Sequence, residues 1–318
     1  MRRCLALALL VLFTTSTGCG KKVQTAATSN IVERDRELYQ EAMAALKKNR
    51  FTEARIVLQV LLETYENSEY SAQAKYAVAE SFYREAGHSN LLAAESEFRK
   101  FITFFPDHDL ADDAQIMIAM THVRQLQKPD RDDTEARLAE LELLELINNP
   151  AYSTSPLLDE AKEKLRGVQE ILAESIFGPA RQYFRKKAYL AVVDRCQEIL
   201  KKYPDFTGTD RVLYLLGETY RKSTTPERST EYYTTIVRDY PLSKLVEDSK
   251  KHLTNLQAAI PEPNPIALER AQRPNDGKGA LGWLSLGLLG GGSSGVSTET
   301  NAASVKNPTS ELSIGGSQ

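Results

Sequence analysis

Three times in this chain an aromatic residue followed by proline closes an apolar stripe of helical spacing: Phe105-Pro106-Asp107, Tyr203-Pro204-Asp205 and Tyr240-Pro241-Leu242. Weaker versions stand at Tyr65-Glu66-Asn67 and Asn149-Pro150, so the marks recur every 37 to 54 residues. Proline ends helices because it lacks an amide hydrogen and its ring collides with the carbonyl four residues back. A period of this length is the pattern of a helical solenoid, whose units cannot bury their apolar faces alone and must stack. Phe51, Ala54, Leu58, Leu61 and Tyr65 make one stripe, and Phe98, Phe101, Ile102 and Phe105 begin another. Strand-like alternation is scarce, so an all-α fold is expected.

Two helices that cross closely need a small side chain on each at the crossing, since a large one forces them apart. Small residues twelve positions apart, with a proline twelve further on, are the tetratricopeptide (TPR) spacing. Ala42, Ala54 and Glu66 keep it, as do Ala180, Val192 and Pro204, and Gly217, Ser229 and Pro241. Tyr183 and Tyr220 each follow the first small position by three residues. Around Ala94 and Pro106 the second half is regular, while the Gly87-His88-Ser89-Asn90 turn is longer. The expected architecture is a TPR-like α-solenoid of about five helical pairs over residues 31–258.

Ahead of the array, Arg2 and Arg3 precede an apolar run from Leu5 to Phe13, then small polar residues to Gly18 and finally Cys19. That order is the pattern of a bacterial lipoprotein signal, cut before an acylated cysteine. The run is shorter than the roughly 20 residues a membrane-spanning helix needs. Residues 1–18 are therefore expected to be a leader and 19–30 a tether lipidated at Cys19, with Gly20 favouring the outer membrane. Two or three acyl chains, at about 0.8 kcal/mol per buried CH₂, anchor stably. From 259 to 318 a Gly, Pro and Ser-rich tail is expected to be disordered. It holds the only tryptophan, in Ala280–Leu289 (ALGWLSLGLL).

Losing Arg2 and Arg3 with the leader moves the formal charge from −3 to −5, which offers no footprint for nucleic acid. Cys4 leaves with the leader and Cys19 is acylated, so Cys196 stays as a lone thiol at a core position and no intrachain disulfide forms. Histidines 88, 108, 122 and 252 are scattered singly. No HExxH, nucleophile elbow or phosphate-binding glycine loop is present, so no enzyme, cofactor or metal site is expected. The acids around His108 read as a helix start capped by Asp109, with Asp112 and Asp113 at the positive end of the dipole. Asp130 to Glu145 reads as a solvated helix face backed by Leu138, Leu141, Leu144, Leu146 and Ile147.

Arg131-Asp132-Asp133-Thr134 leads into a leucine-rich helix, and the run from Leu157 to Asp205 contains AYLAVVDR (188–195) before a Tyr-Pro exit. With the cysteine-ended leader, these stretches resemble the BamD family, the TPR lipoproteins of the outer-membrane β-barrel assembly machinery, over about residues 19–256. Departures are Ser16 where the family usually has leucine, a longer tail, and Gly178-Pro179 in a helix normally unbroken, which suggests a kink. The resemblance implies a non-catalytic periplasmic scaffold at the outer membrane. Its later repeats would dock on a POTRA domain of a BamA-like protein, beside other lipoproteins of the complex, and its early repeats would receive unfolded outer-membrane proteins. Arg195 matches the docking region.

Solenoids bind on the surface lined by the first helix of each pair. Register from Gly217 puts Arg211, Tyr214, Glu218 and Arg221 there as partner-binding residues, and register from Ala42 puts Arg36, Tyr39 and Met43 there as a client groove. Tyrosine, methionine and arginine are favoured at interfaces. A rival reading keeps the fold and changes the role to secretin or pilus assembly, or to cell-envelope coordination; a helical-repeat hydrolase is the other rival.

Overall fold

A computed structural model describes residues 24–127 and 132–272. Cys19, Arg131 and the segment 280–289 lie outside the described residues. Residues 24–127 and 132–168 form one compact unit, and residues 169–272 a second. In the first, α1 (Gln24–Lys47) packs on α2 (Phe51–Thr64), α3 (Ser71–Glu85) on α4 (His88–Phe104), and α5 (Ala111–Val123) on α6 (Thr134–Asn148), with α2 on α3 and α4 on α5. A 3-10 turn at Pro150–Tyr152 precedes α7 (Leu158–Arg185), in which the boundary between the units falls. The second unit continues with α8 (Tyr189–Lys202), α9 (Thr209–Arg221), a 3-10 turn at Pro226–Arg228, α10 (Ser229–Asp239), α11 (Val246–Asn255) and α12 (Pro265–Gln272). From α8 to α11 each helix packs on the next.

No strand occurs among the described residues. The fold is the expected all-α, TPR-like solenoid: α1 to α10 supply the five pairs, and α11 and α12 follow. No helix among the described residues is long and apolar enough to cross a membrane. The aromatic marks are helix ends: Tyr65, Phe105, Tyr203 and Tyr240 are the C-cap residues of α2, α4, α8 and α10, each with φ between −126° and −133°. At the crossings Ala42, Ala54, Ala94, Ala180, Val192 and Ser229 are fully buried. Ala42 and Ala54 share a core with Leu38, Leu46, Leu58 and Leu61 that extends to Ala74 and Ala77 of α3. Core residues thus serve two neighbouring pairs, as stacked repeats require. Cys196 is buried, and burial pushes its thiol up to about 12.

Two turns within pairs close identically. After α1, the Arg50 N–H reaches the Ala45 carbonyl at 2.9 Å, and after α7 the Ala188 N–H reaches Tyr183 at 3.0 Å. Asn49 and Lys187 both take the left-handed φ of 58° that such helix endings demand.

A clasp recurs where pairs end. The Ser68 hydroxyl donates to Asp35 at 2.5 Å and accepts the Tyr70 N–H at 3.1 Å. Ser155 does the same with Asp112 and the Leu157 N–H, and Ser243 with Asp210 and the Leu245 N–H. Each serine stands third after a tyrosine (Tyr65, Tyr152, Tyr240) whose carbonyl accepts the serine N–H at 2.9 Å. After α8 the parts pass to Thr207 and Glu170: the hydroxyl donates at 2.8 Å and the amide at 2.7 Å.

Three expectations change. α1 starts at Gln24, so residues 24–30 of the expected tether are helical and the helix begins ahead of residue 31; once a helix is nucleated, each added residue gains a hydrogen bond. α12 occupies 265–272, inside the stretch expected to be disordered. Pro265 suits a first helical position, the Asn264 side chain accepts the Ile266 N–H at 3.1 Å, and the Asn264 N–H ties this start to the Arg238 carbonyl at 2.8 Å. Asp109 caps nothing: α5 has Leu110 at its N-cap, and His108 Nδ1 accepts the Leu110 N–H at 3.0 Å. At Gly178-Pro179, α7 carries the proline within the helix.

Candidate partner-binding surfaces

In the second unit, α9 buries Val212, Leu213, Leu216 and Tyr220 and turns Arg211, Tyr214, Glu218 and Arg221 to its other side. Glu218 is the hub of that side. Its carboxylate accepts from Arg221 at 2.7 and 2.8 Å and from the Tyr233 hydroxyl of α10 at 2.8 Å. His252 of α11 stands 3.2 Å away and Lys222 3.8 Å away. Burial works against the charged form of Glu218, but Arg221 and Tyr233, with His252, outweigh it and hold the carboxyl below its ordinary range. Tyr233 is fully buried, and its ring stacks on His252 with centroids 4.8 Å apart. The Tyr214 hydroxyl lies 3.5 Å from His252 Nε2. The sequence register therefore placed these residues on one face, but the structure makes Glu218 an internal acceptor rather than a group offered outward.

What faces outward is basic. Side-chain exposure is 13% for Glu218 against 36% for Arg221 and 43% for Lys222. About three turns earlier Arg211, 46% exposed, donates to Glu174 at 3.1 Å. Its guanidinium lies 5.3 Å from the Phe177 ring centre and 5.6 Å from that of Phe206. A guanidinium held by a carboxylate and two rings has few conformations left to lose on binding. Arg195 stands apart on α8, where it pairs with Glu198 at 3.1 Å. Glu198 is held below the ordinary carboxylate range by Lys202 first and then Arg195, against some desolvation.

In the first unit the α1 residues divide. Arg36 is exposed, whereas Tyr39 and Met43 are half-buried against the α1–α2 core. Tyr39 stacks on Tyr70 at 5.0 Å between centroids. Beside Arg36, Asp35 is buried and committed to Ser68. In the Asp107–Asp113 stretch, His108 accepts the Leu110 N–H just ahead of α5, Asp112 takes the Ser155 hydroxyl, and Asp113 is raised by burial, then by Asp112 and Glu160. Sequence reading passed over Tyr233 and saw His252 only as one of four scattered histidines; the one signal for the clasps was Tyr-x-x-Ser, which also occurs at Tyr220–Ser223, where the serine turns back to the Tyr220 carbonyl instead.

Residues 32–234 match the family described as YfiO, outer membrane lipoprotein. The chain is similar to the outer membrane protein assembly factor BamD of Vibrio cholerae serotype O1, 26% identical over 196 residues, covering 58% of this chain and 79% of that one. It is 26% identical over 234 residues to BamD of Haemophilus influenzae, covering 70% and 85%. With BamD of Neisseria meningitidis serogroup B it shares 22% over 256 residues, covering 74% and 93%.

Proposed function

The chain belongs to the YfiO family of outer membrane lipoproteins, and from that premise we propose that it is a non-catalytic scaffold on the periplasmic face of the outer membrane, anchored through acylated Cys19. Its relatives are outer membrane protein assembly factors, and the same role fits this chain. In this reading Arg195 of α8 and the α9 residues Arg211, Tyr214, Glu218 and Arg221 form the docking face for a POTRA domain of a BamA-like protein, alongside other lipoproteins of the complex. The face around Arg36, Tyr39 and Met43 receives unfolded outer-membrane proteins, and β-barrel insertion is the outcome promoted.

The observation that carries the docking half is the fixed basic rim of Arg211, Arg221 and Lys222 above an occupied Glu218. Glu218 organises Arg221 and is not itself the contact. Such a rim fits an acidic surface, through paired hydrogen bonds where guanidinium meets carboxylate. Calorimetric titration of the mature chain with the POTRA region tests it. Arg211→Glu should weaken binding by roughly 2 to 5 kcal/mol if the contact is desolvated, and by less, with strong salt dependence, if it stays at the rim. Arg195→Glu asks the same of α8. Unchanged affinity in both variants at low and moderate salt would remove this face, and no binding by the wild type would remove the partner.

A further inference from the structure

The far end of the second unit is less polar than the end of a stacked array ordinarily is. Terminal repeats need a polar outer side, yet Leu242, Ile260 and Ile266 are 58%, 48% and 76% exposed. An open cleft of about 340 Å³ lies here, its apolar lining formed by Phe206, Tyr240, Leu242, Ala267 and Ala271. Asp205, Asp210 and Asp239 lie on its wall, Asp210 holding the Ser243 hydroxyl. Two of the apolar lining residues belong to α12, so the described chain ends at Gln272, one position past the cleft wall.

We propose that the tail segment Ala280–Leu289 seats in this cleft and completes the C-terminal cap of the array. The segment has no charged residue and carries Trp283 with five leucines. Only residues 273–279 separate it from α12; fully extended they span about 25 Å, enough to return to a cleft that begins beside them. So short a link gives an effective concentration on the order of millimolar, which makes a modest apolar contact sufficient. Within the link Arg273 and Lys278 outnumber Asp276, the sign that suits Asp205, while Asp239 already pairs with Arg238 at 2.7 Å. The docked segment covers Leu242 and leaves the α9 face with Arg211 and Arg221 to other partners.

Trp283 is the chain's only tryptophan, so its fluorescence reads the segment directly. The test uses the full mature chain with Cys19→Ser, free of acyl groups and detergent. Docking predicts indole emission to the blue of indole in water and resistance to acrylamide, both independent of protein concentration. Leu242→Lys and Ala271→Lys alter exposed positions and should leave the helical circular dichroism intact. Each should lower the docked-to-free ratio by about tenfold, the scale of one buried leucine, and move the emission towards that of aqueous indole. Aqueous emission from the parent chain would overturn the proposal. So would blue emission that both variants leave unchanged, which places the segment elsewhere, or that fades on dilution, which places it on a second copy.

Discussion

In the first unit Ala42 and Ala54 sit in a core of alanines and leucines, whereas in the second Gly217 of α9 faces the ring of Tyr233 from α10. A Cβ on Gly217 would lie 2.7 Å from the Tyr233 ring. The spacing of twelve between small residues is the same, but one crossing is filled by methyl groups and the other by an aromatic ring whose hydroxyl must find Glu218. A helix crossing thus fixes the volume available and leaves its chemistry open. A dry solution keeps the helices together; a polar one also orients the groups on the outer side of α9.

The sharpest way to break this comparison is Tyr233→Ala, which removes a buried ring and a donor to Glu218 together. It should cost about 3 to 5 kcal/mol, read as a denaturation midpoint, while a loss under about 1 kcal/mol would mean the ring does not fill the crossing. Next come Ala54→Leu and Gly217→Ala, each expected to cost about 1 to 3 kcal/mol by overpacking. If Gly217→Ala matches the parent midpoint, Tyr233 gives way and the crossing is looser than its distances imply.

Titration sharpens the contrast by sign. Glu218 is held below its ordinary range, so its contribution is present above the unfolded carboxylate pKa and disappears as pH falls through the lower folded value. Glu218→Gln should cost about 1 kcal/mol near neutrality and nothing in strong acid; an equal loss at both pH values would assign the effect to packing. Asp113 in the first unit is raised, by burial and then Asp112 and Glu160. Its ionisation therefore opposes folding above the folded pKa, and the penalty is gone below the unfolded one. Asp113→Asn should gain about 0.5 kcal/mol at neutral pH, the smallest of these effects, and the gain should vanish in acid.

Helix ends and crossings were legible because they rest on short-range sterics: proline and an aromatic after a stripe, alanine where backbones approach. Tyr65, Phe105, Tyr203 and Tyr240 needed no tertiary information to be recognised as endings. The hub at Glu218 was not legible, since Tyr233 and His252 reach it from helices fifteen and thirty-four positions away, and a lone histidine carries no spacing signal. α12 was hidden by composition: PEPNP reads as an irregular stretch until Asn264 is seen hydrogen-bonded to α10. Arg36 came from register and Arg195 from the resemblance; both are exposed, and register alone takes a surface residue no further than that.

The Ser–Asp clasp has a consequence for how such an array can grow. Asp35 to Ser68 and Asp210 to Ser243 each enclose 33 residues, while Asp112 to Ser155 encloses 43, with the Pro150–Tyr152 turn among the additional ones. The entropy of bringing the ends of a chain together rises only with the logarithm of its length, so the longer span costs about 0.2 kcal/mol more. One serine–carboxylate bond of ordinary strength, about 1 kcal/mol or more, covers that several times over. Insertions just before a clasp are therefore nearly free, and a repeat can lengthen its connecting loop, and with it the surface that loop displays, while its helices stay in register.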